Sequence, residues 1–249
     1  MRYSDLNEAS ATVLKEAASK TFVFTLGRFN PPTKGHEELI KEVAKIAKKE
    51  GKADFMIYPT KSFDAKRNPL IFSQKIKYLR KALPSGVKAS NIGTDPDVKN
   101  AFGAAYKALE KSDKVIMVVG GDRVSDFEKS IIPWAKKKFP DKEMVVVSSG
   151  ERKAGVSASD MRQAATDNDF EKFNGGTMSG LSEKDALALF TDVRKGMKLE
   201  EQIEKNFPQG QHQLVREACH NQIEADSGNG YIPDPYGMVF SRLKLHIED

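Results

Sequence analysis

Arg28, Asn30, Thr33 and His36 fall within nine residues, interleaved with Gly27, Phe29, Pro31, Pro32 and Gly35. An apolar run, Thr21 to Leu26, precedes them, and an amphipathic helical pattern, about Glu37 to Lys49, follows. The chemistry this grouping suits is anion binding. A strand that ends in a glycine turn and opens onto a helix aims free backbone N–H groups and the positive dipole end at one point. Thr33 is a good N-cap, which puts His36 in the first helical turn beside any bound phosphate. Gly27 and Gly35 leave room for close approach, and the two prolines stiffen the connection. The chain has four histidines, at 36, 212, 220 and 246, so the only one in its first two hundred residues stands at this turn.

Two more segments carry chemistry-bearing side chains at comparable positions. Val115 to Val119 reads as a buried parallel strand that runs into Gly120, Gly121, Asp122 and Arg123. Ser157, Ala158, Ser159, Asp160, Met161 and Arg162 follow the strand pattern Met144 to Ser148. Ser157 and Asp160 have capping-box spacing, and Arg162 would lean back over the same turn, so hydroxyls, N–H groups and a guanidinium converge on one anion. Lys66 and Arg67, in the loop before the second helix, are placed to meet a second phosphate. Each group has a plain structural counterpart: a surface ion pair, a capped helix, a solvated basic pair. What sets them apart is that they recur at the ends of successive strands.

The elements that must position them alternate. Strand patterns span Phe22 to Leu26, Phe55 to Pro59, Val87 to Ile92, Val115 to Val119 and Met144 to Ser148. Helical patterns follow each: Glu37 to Lys49, Phe72 to Leu83, Val98 to Glu110, Ser130 to Lys138 and Ala158 to Ala165. Five strand-then-helix units predict an α/β fold, a Rossmann-like doubly wound five-stranded parallel sheet with right-handed crossovers. Ligands of such sheets bind at the carboxyl ends of the strands. The expected organisation is an N-terminal helical arm over residues 1–20, the α/β domain over 21–175, and a mainly helical extension and tail over 176–249. Helical patterns in the extension cover Glu183 to Lys195, Leu199 to Asn206 and Gln211 to Asp226, with a strand-like stretch near Met238 to Ile247.

Gly-Arg-Phe-Asn-Pro-Pro-Thr-Lys-Gly-His resembles the first signature of the cytidylyltransferase-like nucleotidyltransferase superfamily, the (His/Thr)-x-Gly-His motif. The segment from Ser157 to Arg162 is similar to that family's Ile-Ser-Ser-Thr-x-x-Arg signature, with Ala158 where serine is usual. The resemblance implies transfer of a nucleoside monophosphate, most simply AMP from ATP, to a phosphate-bearing acceptor, with magnesium carried by the triphosphate. It implies a catalytic set of His36, Thr33 and Arg162, with Thr33 replacing the first histidine. It implies nucleotide contacts from Gly27, Arg28, Phe29, Asn30, Gly35, Gly121, Asp122, Arg123, Ser157 and Ser159, and acceptor contacts from Lys66 and Arg67. Thr33, the Gly-Arg-Phe-x-Pro run and Asn68-Pro69-Leu70 resemble nicotinamide mononucleotide adenylyltransferases of archaeal type. The stretch from Ser157 to Met197 also resembles phage-encoded nucleotidyltransferase-like proteins.

Composition bounds these readings. The 249 residues include 30% charged and 39% hydrophobic side chains, a globular balance, and the formal net charge is +5. No basic stretch interleaved with aromatics marks a nucleic-acid surface. Cys219 is the only cysteine, so no intrachain disulfide forms. The first twenty residues are too polar for a signal peptide, and no apolar run has membrane-spanning length, so the expected setting is cytoplasmic, in a bacterial or phage-infected cell, with virion association left open. His212, Cys219 and His220 lack the second pair of a zinc site, and no protein metal site is expected. The competing function is a nucleotidyltransferase-fold module that binds nucleotide for a structural end; homo-oligomers are compatible with either. A class I aminoacyl-tRNA synthetase relative is disfavoured, because no Lys-Met-Ser-Lys-Ser loop is present.

Overall fold

The computed structural model describes residues 20–150 and 157–199. The arm, the three histidines and the cysteine of the tail, and the patterns beyond residue 199 lie outside the described residues.

Four strands form one parallel sheet: β1 Thr21–Gly27, β2 Asp54–Pro59, β3 Lys114–Val119 and β4 Glu143–Ser148. Their order is β2-β1-β3-β4, so the chain steps from β1 to one side and returns to the other. This reversal opens a crevice beyond the carboxyl ends of β1 and β3. The helices are α1 Lys34–Lys49, α2 Phe72–Lys81, α3 Ala101–Lys111, α4 Val124–Lys138, α5 Ala158–Thr166, α6 Phe170–Gly176 and α7 Glu183–Gly196.

Burial is continuous through the middle of β1 and along β3 because both faces are covered, and successive side chains point to opposite layers. Val23, Ile116 and Val118 pack with Val43 and Ala47 of α1. Phe24, Val115, Met117 and Val119 point the other way, into a cluster with Ala104, Ala105, Ala108 and Leu109 of α3 and Ile131 of α4. A third cluster joins α5, α6 and α7 to Leu70 and Tyr78. Helix α7 therefore closes against α2, where Tyr78 donates its hydroxyl to Asp192 at 2.5 Å and Lys81 pairs with Asp185. Gly196 is required at this seam: a Cβ there would lie 1.9 Å from the Pro69 carbonyl oxygen.

The expected fifth strand is a correction. Val87 to Ile92 contains a 3₁₀ turn, Ala89–Asn91, and its pairing is a single parallel bridge between Ile92 and Ile57. The outer edge of β2 is satisfied by other donors: the Asn91 side-chain amide donates to the Phe55 carbonyl at 3.0 Å, and the Gly93 N–H donates to the Ile57 carbonyl at 2.8 Å. Val87 and Ile92 are buried all the same, which is why the stretch reads as a strand. Helix α4 begins at Val124 rather than Ser130: Val124 and Phe127 pack against the core at helical spacing to Ile131, between exposed polar residues that hide the stripe.

Candidate active site

Thr33 caps α1 as its spacing predicts. Its hydroxyl accepts the His36 N–H at 3.3 Å, and its own N–H donates to His36 Nδ1 at 3.1 Å. This second bond has a chemical consequence. A neutral imidazole that accepts at Nδ1 carries its proton on Nε2, so the ring presents an N–H donor from that nitrogen.

Phe29 fixes the face of the ring. It is fully buried and sits at φ +47, a region that costs a bulky residue about 1–3 kcal/mol. Its ring centroid lies 4.7 Å from that of His36, and a Cβ on Gly27 would come within 2.9 Å of its edge. Gly27 therefore admits the Phe29 ring. At Gly35 a Cβ would find only the Thr33 hydroxyl oxygen, at 3.6 Å, so the space over the first turn of α1 is open.

Asn30 binds three loops together. Only 2% of its surface is exposed, and its amide exchanges two hydrogen bonds with the Leu70 backbone, donating to the carbonyl at 3.1 Å and accepting the N–H at 2.9 Å. Its backbone carbonyl accepts Arg162 Nη1 at 2.8 Å, while Arg162 Nη2 donates to the Ser159 hydroxyl at 3.0 Å. Helix α5 is thus clamped onto the turn after β1. Burial lowers the Arg162 pKa, and the positive charges of Arg28 and Arg67 lower it further against the opposing pull of Asp64. Arg28 and Arg67 thus lie near enough to act on Arg162, which is itself bonded to the turn that carries His36, and an excess of positive charge there favours a polyanion.

Asp64 holds the loop that presents Arg67. Its carboxylate accepts the N–H of Lys66 at 3.0 Å and of Arg67 at 2.6 Å, and backbone bonds between Asp64 and Asn68 close the loop. Those bonds hold its carboxyl below the usual range, the Asn68 side chain contributing most. At α5, Ser157 and Asp160 form a complete capping box: the serine hydroxyl accepts the Asp160 N–H at 3.1 Å, and the carboxylate accepts the Ser157 N–H at 2.8 Å. A carboxylate thus shares the helix N-terminus expected to receive phosphate.

The turn after β3 is built differently. Gly121–Arg123 is an exposed 3₁₀ turn on the same sheet edge, across the crevice from Gly27. Arg123 lies 3.8 Å from Asp126 and over the Phe127 ring. Gly120 is confined by the Asp122 carboxylate, which would lie 2.8 Å from a Cβ. The Arg123 side chain is held by local contacts, and Gly121 packs beside the end of β4, where a Cβ would lie 3.3 Å from the Ser148 hydroxyl oxygen.

Two residues went unnoticed in the sequence. Asp64 orders the basic loop, and its only signal is the fourth-residue spacing to Asn68. Lys75 is fully buried, and its signal is a lysine on the apolar stripe Phe72, Ile76, Leu79. Behind the site, buried Glu37 accepts the Ser179 N–H at 2.7 Å and tying α1 to the chain before α7. Burial alone would raise its pKa, but Lys41 and Ser179 hold it lowered. Among the described residues, no group of three or more His, Cys, Asp or Glu is arranged to hold a metal ion, and no helix is long and apolar enough to cross a membrane.

A doubly wound parallel sheet, with the N-terminus of α1 at its switch point, defines a Rossmann-like α/β protein. The cytidylyltransferase-like family profile matches residues 24–164, more than half of the chain, and the chain belongs to that family. Membership makes it a nucleotidyltransferase in the general sense. No curated protein matches the chain.

Proposed function

We propose that the protein transfers AMP from ATP to a small phosphate-bearing acceptor, a mononucleotide such as nicotinamide mononucleotide, and releases pyrophosphate. The observation that carries this reading is that the turn after β1 holds both His36, oriented by Thr33, and Arg162, bonded to the Asn30 carbonyl, with Arg28 and Arg67 near enough to act on Arg162.

An acceptor phosphate oxygen attacks the α-phosphorus in line as the bond from that phosphorus to the bridging oxygen breaks. Charge grows on the phosphate oxygens, so positioned donors lower the barrier without a covalent enzyme intermediate. His36 Nε2 donates to an α-phosphate oxygen. Arg162, Ser157 and Ser159 hold the β- and γ-phosphates, Gly121, Asp122 and Arg123 meet the nucleoside, and Lys66 and Arg67 meet the acceptor phosphate. Magnesium belongs with the triphosphate oxygens, in keeping with its preference for water and substrate phosphates over protein cages.

One observation favours a second reading, a nucleotide-binding module with little catalysis: the Asp160 carboxylate at the α5 N-terminus repels the phosphates expected there. Pyrophosphate release separates the two. The protein is incubated with magnesium, each common ribonucleoside triphosphate, and nicotinamide mononucleotide, pantetheine phosphate, flavin mononucleotide or sugar phosphates. The expected result is release with ATP, cut about 10²–10³-fold by His36→Ala, the loss typical of one oxyanion donor. Full activity in that variant removes His36 from the mechanism, and silence with every acceptor supports the binding module.

A further inference from the structure

Lys75, the fourth residue of α2, is completely buried. A buried ammonium carries a desolvation penalty that an apolar side chain of the same length would avoid, so stability alone does not account for it. Its described hydrogen bonds both go to backbone carbonyls, Thr60 at 2.9 Å and Ser62 at 2.8 Å. These two residues are the stem of the loop that leaves β2. The Thr60 N–H donates to the Gly27 carbonyl at 2.8 Å, so the stem also touches the turn after β1. Beyond it come Phe63, 57% exposed, and the closed Asp64 to Asn68 tip with Lys66 and Arg67. Asp64 holds the tip from within, and its charge acts on both Lys75 and Arg162.

We infer that Lys75 is a positioning residue: by gripping the Thr60 and Ser62 carbonyls it fixes the Thr60 to Asn68 loop and so sets where Lys66 and Arg67 stand relative to Arg162. Its consequence for the acceptor rests on the reading of Lys66 and Arg67 given above. The grip itself does not. Burial lowers the Lys75 pKa to about 8, with Asp64 the charged neighbour that acts against the shift. Above that pH the bonds lose their charge assistance.

Hydrogen exchange of the 60–68 amides, corrected for intrinsic rates, tests the grip in the full chain without needing activity. Wild type is expected to lose protection between pH 7 and pH 9, and Lys75→Met to lack it at both, with unchanged far-UV circular dichroism. Lys75→Arg, charged throughout, is expected to keep protection at pH 9. Loop exchange in Lys75→Gln, too short to reach both carbonyls, that matches wild type at pH 7 overturns the inference even if the methionine variant fails to fold. So does unchanged loop exchange in a folded Lys75→Met. In the pyrophosphate assay, Lys75→Met should raise the acceptor KM at least about tenfold while kcat stays within about threefold, the signature of misplaced binding groups. A loosened loop with an unchanged KM leaves the grip standing and removes Lys66 and Arg67 from the acceptor site.

Discussion

The turn after β1 and the turn after β3 face each other across one crevice, yet they are held by different kinds of contact. The first is cross-linked through Asn30 to Leu70, 40 residues away, and through Arg162, 132 residues away. Its members are largely buried. The second is exposed and holds its Arg123 side chain against neighbours in sequence, Asp126 and Phe127. A phosphate end that must stabilise growing charge gains from groups already in place. On the proposed reaction the turn after β3 is the nucleoside end, which chiefly recognises and can be assembled from local pieces, and substitutions should separate the two.

The largest effect is expected at Arg162. Arg162→Ala removes a cation and both α5 bonds, so pyrophosphate release should fall about 10²-fold or more, and urea unfolding should show a loss of about 2 kcal/mol. Activity within threefold of wild type would dissolve the contrast between the turns. Asn30→Ala comes next. It leaves the buried Leu70 N–H and carbonyl unpaired, at a cost of about 2–4 kcal/mol in unfolding free energy. At the opposite turn, Arg123→Ala should shift stability by less than about 0.5 kcal/mol, because its partners are exposed. Its effect should appear in the triphosphate KM, raised severalfold, and a stability loss equal to that of Asn30→Ala would show the turns to be built alike.

The smallest effect sharpens the phosphate end. Asp160→Asn removes a negative charge beside the expected triphosphate and should tighten ATP binding about threefold in calorimetry at low salt. Weaker binding would mean that the capping geometry outweighs the charge. The same carboxyl gives a pH signature. Its pKa is lowered, first by the Ser157 side-chain bond, so its stabilisation is present above the ordinary carboxylate pKa and is lost as pH falls through the lowered value. Acid unfolding of Asp160→Asn should lack that component.

What could be read from the sequence was whatever rests on contacts near in sequence. The Thr33 cap and the Ser157 box join residues three apart, and the structure contains both. The strands were legible because two-sided burial makes them continuously apolar, as Val115 to Val119 is. The strand reading failed at Val87 to Ile92, where the polar residues Lys88, Ser90 and Asn91 separate two buried residues and an asparagine side chain satisfies the strand edge. Asp64 and Lys75 went unseen because a loop carboxylate and a helix lysine look like solvated charges until their neighbours are known.

The sequence by itself determined the alternation of strands and helices, the caps, and the presence of one histidine at a glycine turn, all consequences of backbone and side-chain preferences acting over a few residues. Only the tertiary structure decided that the Asn30 amide would be taken up by Leu70, that Arg162 would clamp the turn after β1, and that a buried ammonium would grip the loop after β2. Those contacts join segments tens of residues apart, and their energies depend on burial and charge that exist only once the sheet has brought its carboxyl ends together.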